Sequence, residues 1–390
     1  MLDVIKNILI YGGSFVVVLS LVVFVHEFGH FQVARWRKVA IDAFSIGFGK
    51  RLAGWRDKQG VEWKIGALPL GGYVKFTGDA DAASTGPAEA FENSAAREAA
   101  RRQGLFHAQP LLTRSLVVAA GPVSNFIFAI LVFALVLMMV GRDTARIDLV
   151  SENSPAAEAG FMPGDEIVAI NGEEIMGFGA LLNHVAQHGQ SQIDFTVERG
   201  GALLDISATP RVMDPDGDGP AQARPLLGLT HNDDRAQYVG VNPVEAVGLG
   251  AAQTWMIVAS TFTYIADVVT GRQSGEHIAG PVGIMQQSGQ IAESALDQPD
   301  GTLFGRLGDL AFSLLQWAAI LSVAVGIVNL LPIPILDGGH LMFYAIEALR
   351  GGKPLPPMAQ EWAFRAGALV MMTLFLFATW NDVARGFTGS

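Results

Sequence analysis

Val22-Val23-Phe24-Val25-His26-Glu27-Phe28-Gly29-His30 closes an almost wholly apolar run that begins near residue 8. It has the form H-E-x-x-H. On a helix, His26 and His30 are four residues apart and share a face. Two imidazoles on one face can hold a zinc ion, and Glu27 beside them can act as general base toward a metal-activated water. With 8 His and 16 Glu in 390 residues, chance alone places this pattern in roughly one of ~150 such chains. The apolar setting puts the site in or against a membrane, where ionisable groups are costly and mark function. The motif offers two ligands. A catalytic zinc needs a third protein ligand and an open position.

Composition narrows the field. The chain is 50% hydrophobic and 16% charged, against about a quarter charged in ordinary soluble domains. It has no cysteine, which excludes a disulfide framework and thiolate ligands. Any metal must be held by His, Asp or Glu. The net charge of −11 and the lack of a dense basic run argue against nucleic acid as partner. The N-terminus does not read as a removable signal peptide, since Asp3 stands near Lys6 and the motif lies directly in the apolar stretch.

Four stretches are long and apolar enough to span a bilayer, at about 20 residues each: Ile8 to Ala34, Ser115 to Val140, Leu310 to Leu331, and Ala366 to Trp380. Val244 to Val269 is interrupted by Glu245, Gln253, Thr254 and Asp267 and reads as an amphipathic helix on the membrane or on the protein. A fifth span is the alternative there. Residues 31–114 carry 13 Lys/Arg against 8 Asp/Glu, whereas residues 142–309 carry 8 against 23. The positive-inside rule puts the first loop in the cytoplasm and the acidic segment outside. His26 and His30 then fall toward the cytoplasmic end of span one.

Ser45–Lys50 and Trp63–Phe76 read as short strands punctuated by glycine. Their edge, near Gly71, Gly72 and Tyr73, could pair with an extended substrate. An ordinary hairpin is the alternative. Residues 79–110 read as loop and surface helix. Ser154 to Gly172 contains a short helix, a Pro163-Gly164-Asp165 turn, a strand and an Asn171-Gly172 turn. That order resembles the core of PDZ domains, which take peptides onto a sheet edge. His184 and His188 read as a solvated helix face. Asp214 to Gly219 reads as a polar turn, because a calcium loop would need Glu where Pro225 stands. Gly280-Pro281-Val282-Gly283-Ile284 reads as a turn.

The third ligand is sought where span three ends, in Asn329-Leu330-Leu331-Pro332-Ile333-Pro334-Ile335-Leu336-Asp337-Gly338-Gly339-His340. Two prolines break the helix and two glycines release the chain. Asp337 is the sole acid between Leu310 and Tyr344. It sits in the break and is favoured over His340 as third ligand. Capping the following helix is its alternative role.

Taken together, His26–His30, Gly121-Pro122-Val123-Ser124-Asn125 and Asn329–Gly339 resemble the site-2 protease family of intramembrane zinc metalloproteases. The chain is most similar to the bacterial regulator-of-sigma-E protease branch, except that one PDZ-like segment is found where some of that branch carry two. The resemblance implies a polytopic α-helical membrane protein of about four transmembrane helices, with a membrane-associated β-hairpin region and one extracytoplasmic PDZ-like α/β domain. It also implies Zn2+ on His26, His30 and Asp337, with Glu27 as catalytic base. Asn329, a polar side chain in an apolar span, is expected to hydrogen-bond substrate backbone or the oxyanion; Asn125 is expected either to do the same or to satisfy broken backbone near Pro122, and the edge at Gly71, Gly72 and Tyr73 to hold substrate extended. Expected partners are the lipid bilayer and single-pass membrane substrates such as anti-sigma factors, in a bacterial inner membrane. The alternatives are a PDZ-bearing scaffold without protease activity, or a membrane metalloprotease acting on soluble tails.

The predicted organisation is residues 1–35 as span one, 36–114 as a cytoplasmic or re-entrant β-rich loop with a surface helix, and 115–141 as span two. Residues 142–236 follow as the PDZ-like domain and 237–308 as interfacial linker helices. Residues 309–340 form span three, 341–365 a cytoplasmic connector, 366–381 span four and 382–390 a tail.

Overall fold

The structure, a computed structural model, describes residues 6–78, 93–175, 177–213, 224–231, 238–275, 279–297 and 302–388. The expected turn at Asp214–Gly219 and the first part of the 79–110 segment lie outside them. The chain divides into two compact units, Met1–Phe133 with Val247–Ser390, and Ala134–Ala246.

In the first unit, a π-helical turn at Ile8–Gly12 leads into α1 (Gly13–Trp36). Two long strands follow, β1 (Ile41–Arg56) and β2 (Glu62–Phe76). They are longer than the short strands expected because each bends and pairs more than once. Ala43, Phe44, Ser45 and Ile46 face Glu62, Trp63, Lys64 and Ile65 on one side, and Lys75, Val74, Tyr73 and Gly72 on the other. Among the described residues, Gly72–Lys75 is therefore an open edge. The fully buried rings of Phe31 (α1) and Phe44 (β1) meet edge to face at 5.3 Å and pin the sheet to the helix. Each such burial contributes about 1.5–3 kcal/mol.

After a surface helix, α2 (Ser94–Arg102), comes α3 (Leu111–Val140), an unbroken helix despite Pro122. The second unit then begins with the short strands β3 (Arg142–Asp143) and β4 (Leu149–Val150) and the helix α4 (Pro155–Ala159). Next are β5 (Glu166–Ile170), β6 (Glu173–Glu174), α5 (Gly177–His188), β7 (Ile193–Arg199) and β8 (Ala202–Ala208). The strands β6-β5-β7-β8 form one antiparallel sheet in that order. Ile193, Phe195 and Val197 turn into the core with Ile167, Ile170 and Leu181. This is the period-two alternation of a half-buried strand. Asn171 and Gly172 both take positive φ (51° and 82°), which is what a two-residue hairpin turn demands. The first of the helical His pair, His184, stands with its Nε2 3.3 Å from Asn171 Nδ2.

The remaining helices are α6 (Pro243–Val269), α7 (Pro281–Leu296), α8 (Leu303–Leu330), α9 (Asp337–Leu349) and α10 (Pro357–Thr388). Gly280–Ile284, expected as a mere turn, opens α7. The Asp382 carboxylate reaches over from α10 and accepts from the N–H groups of Gly280 and Gly283 at 3.0 and 2.8 Å. It thus meets donors that every helix start leaves unpaired.

Among the described residues, four helices are long and apolar enough to cross a membrane: Ile8–Trp36, Leu111–Val140, Leu303–Leu330 and Pro357–Arg385. The fourth starts well before the expected Ala366. Its first turns carry an exposed i,i+4 pair, Glu361 with Arg365, among their apolar residues. The Val244–Val269 stretch is helical, as expected, but is not among the four. Large apolar side chains such as Ile127, Leu131, Leu369 and Phe375 lie half or more exposed on these helices. Water would not tolerate so continuous an apolar surface. The protein is a multi-pass membrane protein.

Candidate metal centre and active site

Three side chains from two distant helices converge. His26 and His30 come from α1, and Asp337 opens α9. His26 Nε2 lies 3.2 Å from Asp337 Oδ2, His30 Nε2 lies 3.4 Å from the same oxygen, and the two Nε2 atoms are 3.2 Å apart. Zinc bonds of about 2.0–2.1 Å in a tetrahedron require ligand atoms about 3.3 Å apart, so this triangle has the size of one tetrahedral face. Asp337 Oδ2 is buried and has no hydrogen-bond donor. A carboxylate oxygen left so in a low-dielectric site calls for a cation. The three residues fit zinc, and they form the sole such metal-ligating group among the described residues.

The helix break delivers Asp337. Leu331 leaves α8 with extended backbone (ψ 142°) at the Pro332-Ile333-Pro334 segment. Prolines there cannot supply helical N–H donors. Asp337 is the first helical residue of α9, and the preceding Leu336 holds the capping position. Its carboxylate is therefore directed to the histidines and not to a cap. The following glycines serve a purpose other than the one expected. A Cβ on Gly338 would stand 2.3 Å from the carbonyl oxygens of Leu330 and Leu331, and one on Gly339 2.2 Å from that of Ile333. Neither has positive φ. They allow the new helix to start against backbone just laid down. His340, the competing ligand, packs its ring against Phe364 (5.6 Å) and is not part of the group.

A cavity of about 260 Å³ contains the centre, with Glu27, Gly72 and Tyr73 among its lining residues. Val74 N–H, on the open sheet edge, donates to the Glu27 carboxylate. Gly72 comes so close that a Cβ would lie 3.0 Å from Glu27 Cγ. Gly71 is not in this wall. It has φ 103°, and a Cβ there would strike the Phe48 ring. Asn329 is also outside the lining, and its amide donates to Val325 O of its own helix at 3.0 Å. Asn125, expected either to meet substrate or to satisfy broken backbone near Pro122, turns its amide to His26 instead. It is fully buried, with Nδ2 3.2 Å from His26 Nδ1.

Several contributors have roles that no motif stated. His30 Nδ1 is 2.9 Å from Val117 O, a backbone carbonyl of α3. Gly121 brings α3 against both imidazoles, where a Cβ would stand 2.2 Å from His30 Nε2 and 2.9 Å from His26 Cε1. Gly29 does the same from the other side, with Ala120 O at 2.3 Å from a notional Cβ. Small residues allow such close approach of membrane helices. Arg114 and Glu347 form a bidentate ion pair at 3.1 and 2.5 Å, each side chain 6% exposed, and tie α3 to the helix that carries Asp337. A Gly-Pro pair inside an apolar helical run is the sequence signal that marked the Gly121 position.

Residues 14–374 match the model of Peptidase family M50. A relative from Agrobacterium fabrum, bearing the name of a zinc metalloprotease, is 43% identical over 379 residues, covering 96% of each chain. Another so named, from Rhizobium meliloti, is 40% identical over 375 residues and 95% of each chain. The metalloprotease MmpA of Caulobacter vibrioides is 38% identical over 382 residues, again 95% of each. Among solved structures, the PDZ domain of an SdrC-like protein from Listeria monocytogenes is similar to 24% of this chain and 90% of its own, at 19% identity and a TM-score of 0.20. The chain belongs to peptidase family M50 and is a membrane zinc metalloendopeptidase.

Proposed function

We propose that the chain cuts peptide bonds within transmembrane segments of its substrates, with His26, His30 and Asp337 as zinc ligands and Glu27 as general acid–base. The observation that carries this is the tetrahedral-face spacing of the three ligand atoms, with Glu27 in the same cavity and both histidines on an apolar helix. When bound, zinc polarises the scissile carbonyl and acidifies water. Glu27 takes the water proton and returns it to the leaving nitrogen. Val74 N–H orients its carboxylate for both transfers. A helical substrate hides its carbonyls and must unwind to be cut. The open edge Gly72–Lys75 offers it main-chain partners in extended form, with Gly72 and Tyr73 nearest the centre. Asn329 and Gly71 stand outside the cavity lining.

In this reading the four apolar helices are spans and the basic first loop is cytoplasmic, so the ligands lie toward the cytoplasmic side of a bacterial inner membrane. The 142–236 segment is a PDZ-like filter on the outer side that excludes substrates with bulky outer domains. Substrates are single-pass proteins of the anti-sigma-factor type. The test is cleavage of a reporter carrying such a transmembrane segment, comparing the unaltered chain with Glu27→Gln. Cleavage confined to the unaltered chain is expected. Equal cleavage by both would sink the mechanism.

A further inference from the structure

Asn125 is buried to 0% exposure, yet its Oδ1 has no hydrogen-bond partner while its Nδ2 faces His26 Nδ1 at 3.2 Å. Its backbone carbonyl is occupied by Ser322 Oγ. A buried amide with one end unmatched calls for an account.

Which end of the amide faces His26 follows from the ligand geometry, and so rests on His26, His30 and Asp337 being the metal-holding set. A neutral imidazole has one N–H and one bare nitrogen. His30 is settled by Val117 O, which can only accept, so the His30 proton sits on Nδ1 and Nε2 is bare toward the centre. His26 also turns its Nε2 to the centre. To offer a lone pair there, it must carry its proton on Nδ1, and that N–H needs an acceptor. The group within reach is the Asn125 amide. With Nδ2 toward Nδ1, two donors would meet. Turning the amide by 180° exchanges O and N with little change of shape, and the hydrogen-bond network alone distinguishes the two.

We infer that Asn125 presents Oδ1 to the Nδ1–H of His26 and is the positioning residue that fixes this ligand's tautomer and ring plane. Each histidine of the pair then has an α3 acceptor behind it, a backbone carbonyl for His30 and a side-chain carbonyl for His26. Such outer partners of metal-bound histidines typically change metal affinity or activity 10–100-fold when removed.

The test uses the full chain in detergent and measures zinc affinity by chelator competition, with folding followed by circular dichroism. Asn125→Leu keeps the volume and removes the acceptor, and is expected to weaken zinc about 10–100-fold. Asn125→Asp keeps an acceptor and is expected to hold zinc as tightly as the unaltered chain, or more so. Should Asn125→Asp fail to fold, histidine-labelled ¹⁵N spectra of the zinc-loaded unaltered chain provide the second arm. A protonated, slowly exchanging His26 Nδ1 is expected there. Unaltered zinc affinity in Asn125→Leu, equal loss in the Leu and Asp variants, or an unprotonated Nδ1 would overturn the inference. His26→Ala and Asp337→Ala separate the two levels. If they keep zinc, the ligand set itself is wrong. If they lose it while Asn125→Leu does not, the amide inference alone fails.

Discussion

Placing one methyl group on Gly121 is the most discriminating perturbation of the centre. A Cβ at that position would stand 2.2 Å from His30 Nε2, 2.4 Å from His30 Cε1 and 2.9 Å from His26 Cε1. Favourable contacts between non-bonded heavy atoms lie at about 3.5–4.0 Å. Relief of the His30 contact alone thus requires a shift of more than about 1 Å by the ring, by α3, or by both. Metal sites tolerate about 0.2 Å in ligand distance, so Gly121→Ala cannot keep both imidazoles on the ion. Zinc affinity is expected to fall by at least about 100-fold, about 2.8 kcal/mol at 1.4 kcal/mol per decade. The assay is zinc per chain after dialysis against a graded chelator, with helicity followed in parallel. Gly13→Ala is the matched control, since a Cβ there meets nothing within 4 Å. It should bind zinc normally and gain up to about 1 kcal/mol of helix stability. Normal zinc binding by Gly121→Ala would refute the packing argument and the ligand geometry behind it.

Four further outcomes are expected. Arg114→Leu strands Glu347 in a 6% exposed site and should cost about 3–5 kcal/mol in detergent unfolding titrations; a loss under about 1 kcal/mol would show that the pair is dispensable. Asp382→Ala removes the acceptor for Gly280 and Gly283 and should lower protection from hydrogen exchange at the start of α7 while leaving α1 unchanged. In the second unit, burial pushes the Asp165 carboxyl up, but the Arg199 guanidinium and the Met162 N–H outweigh it and hold the group below its usual range. That ion pair therefore stabilises fully above the ordinary carboxylate value of about 3.9, and its contribution is lost as pH falls through the lowered one. Pepsin cutting within Ala134–Ala246 should rise steeply below about pH 4, and Arg199→Leu should flatten that rise. Asp337→Ala should release zinc without loss of helicity, and zinc retention would return His340 to consideration.

Much of the site was legible because its signals are local. Helical spacing alone placed His26 and His30 on one face with Glu27 between them. An isolated acid in a Pro-rich helix break drew attention to Asp337. The apolar runs and the charge asymmetry describe a membrane protein, and the Asn171-Gly172 pair announces its hairpin. Long-range closure was not legible. Asp337 is separated from the histidines by some 300 residues of chain, and no periodicity states that α9 begins against α1. Asn125 reads in sequence as a polar residue in an apolar span, which suggests either substrate contact or the satisfying of broken backbone near Pro122. Its role depends on which neighbour its amide meets, and that is set by how closely α3 packs on α1. Gly29 and Gly121 lie within quoted motifs, but their packing role is silent for the same reason. A glycine's missing side chain has meaning only when another helix fills its space. Local spacing chose the chemistry of the motif that opens the chain, His26-Glu27-Phe28-Gly29-His30. Packing between helices far apart in sequence brought Asp337 to the histidine pair, Val117 and Asn125 behind the imidazoles, and the strand edge beside Glu27.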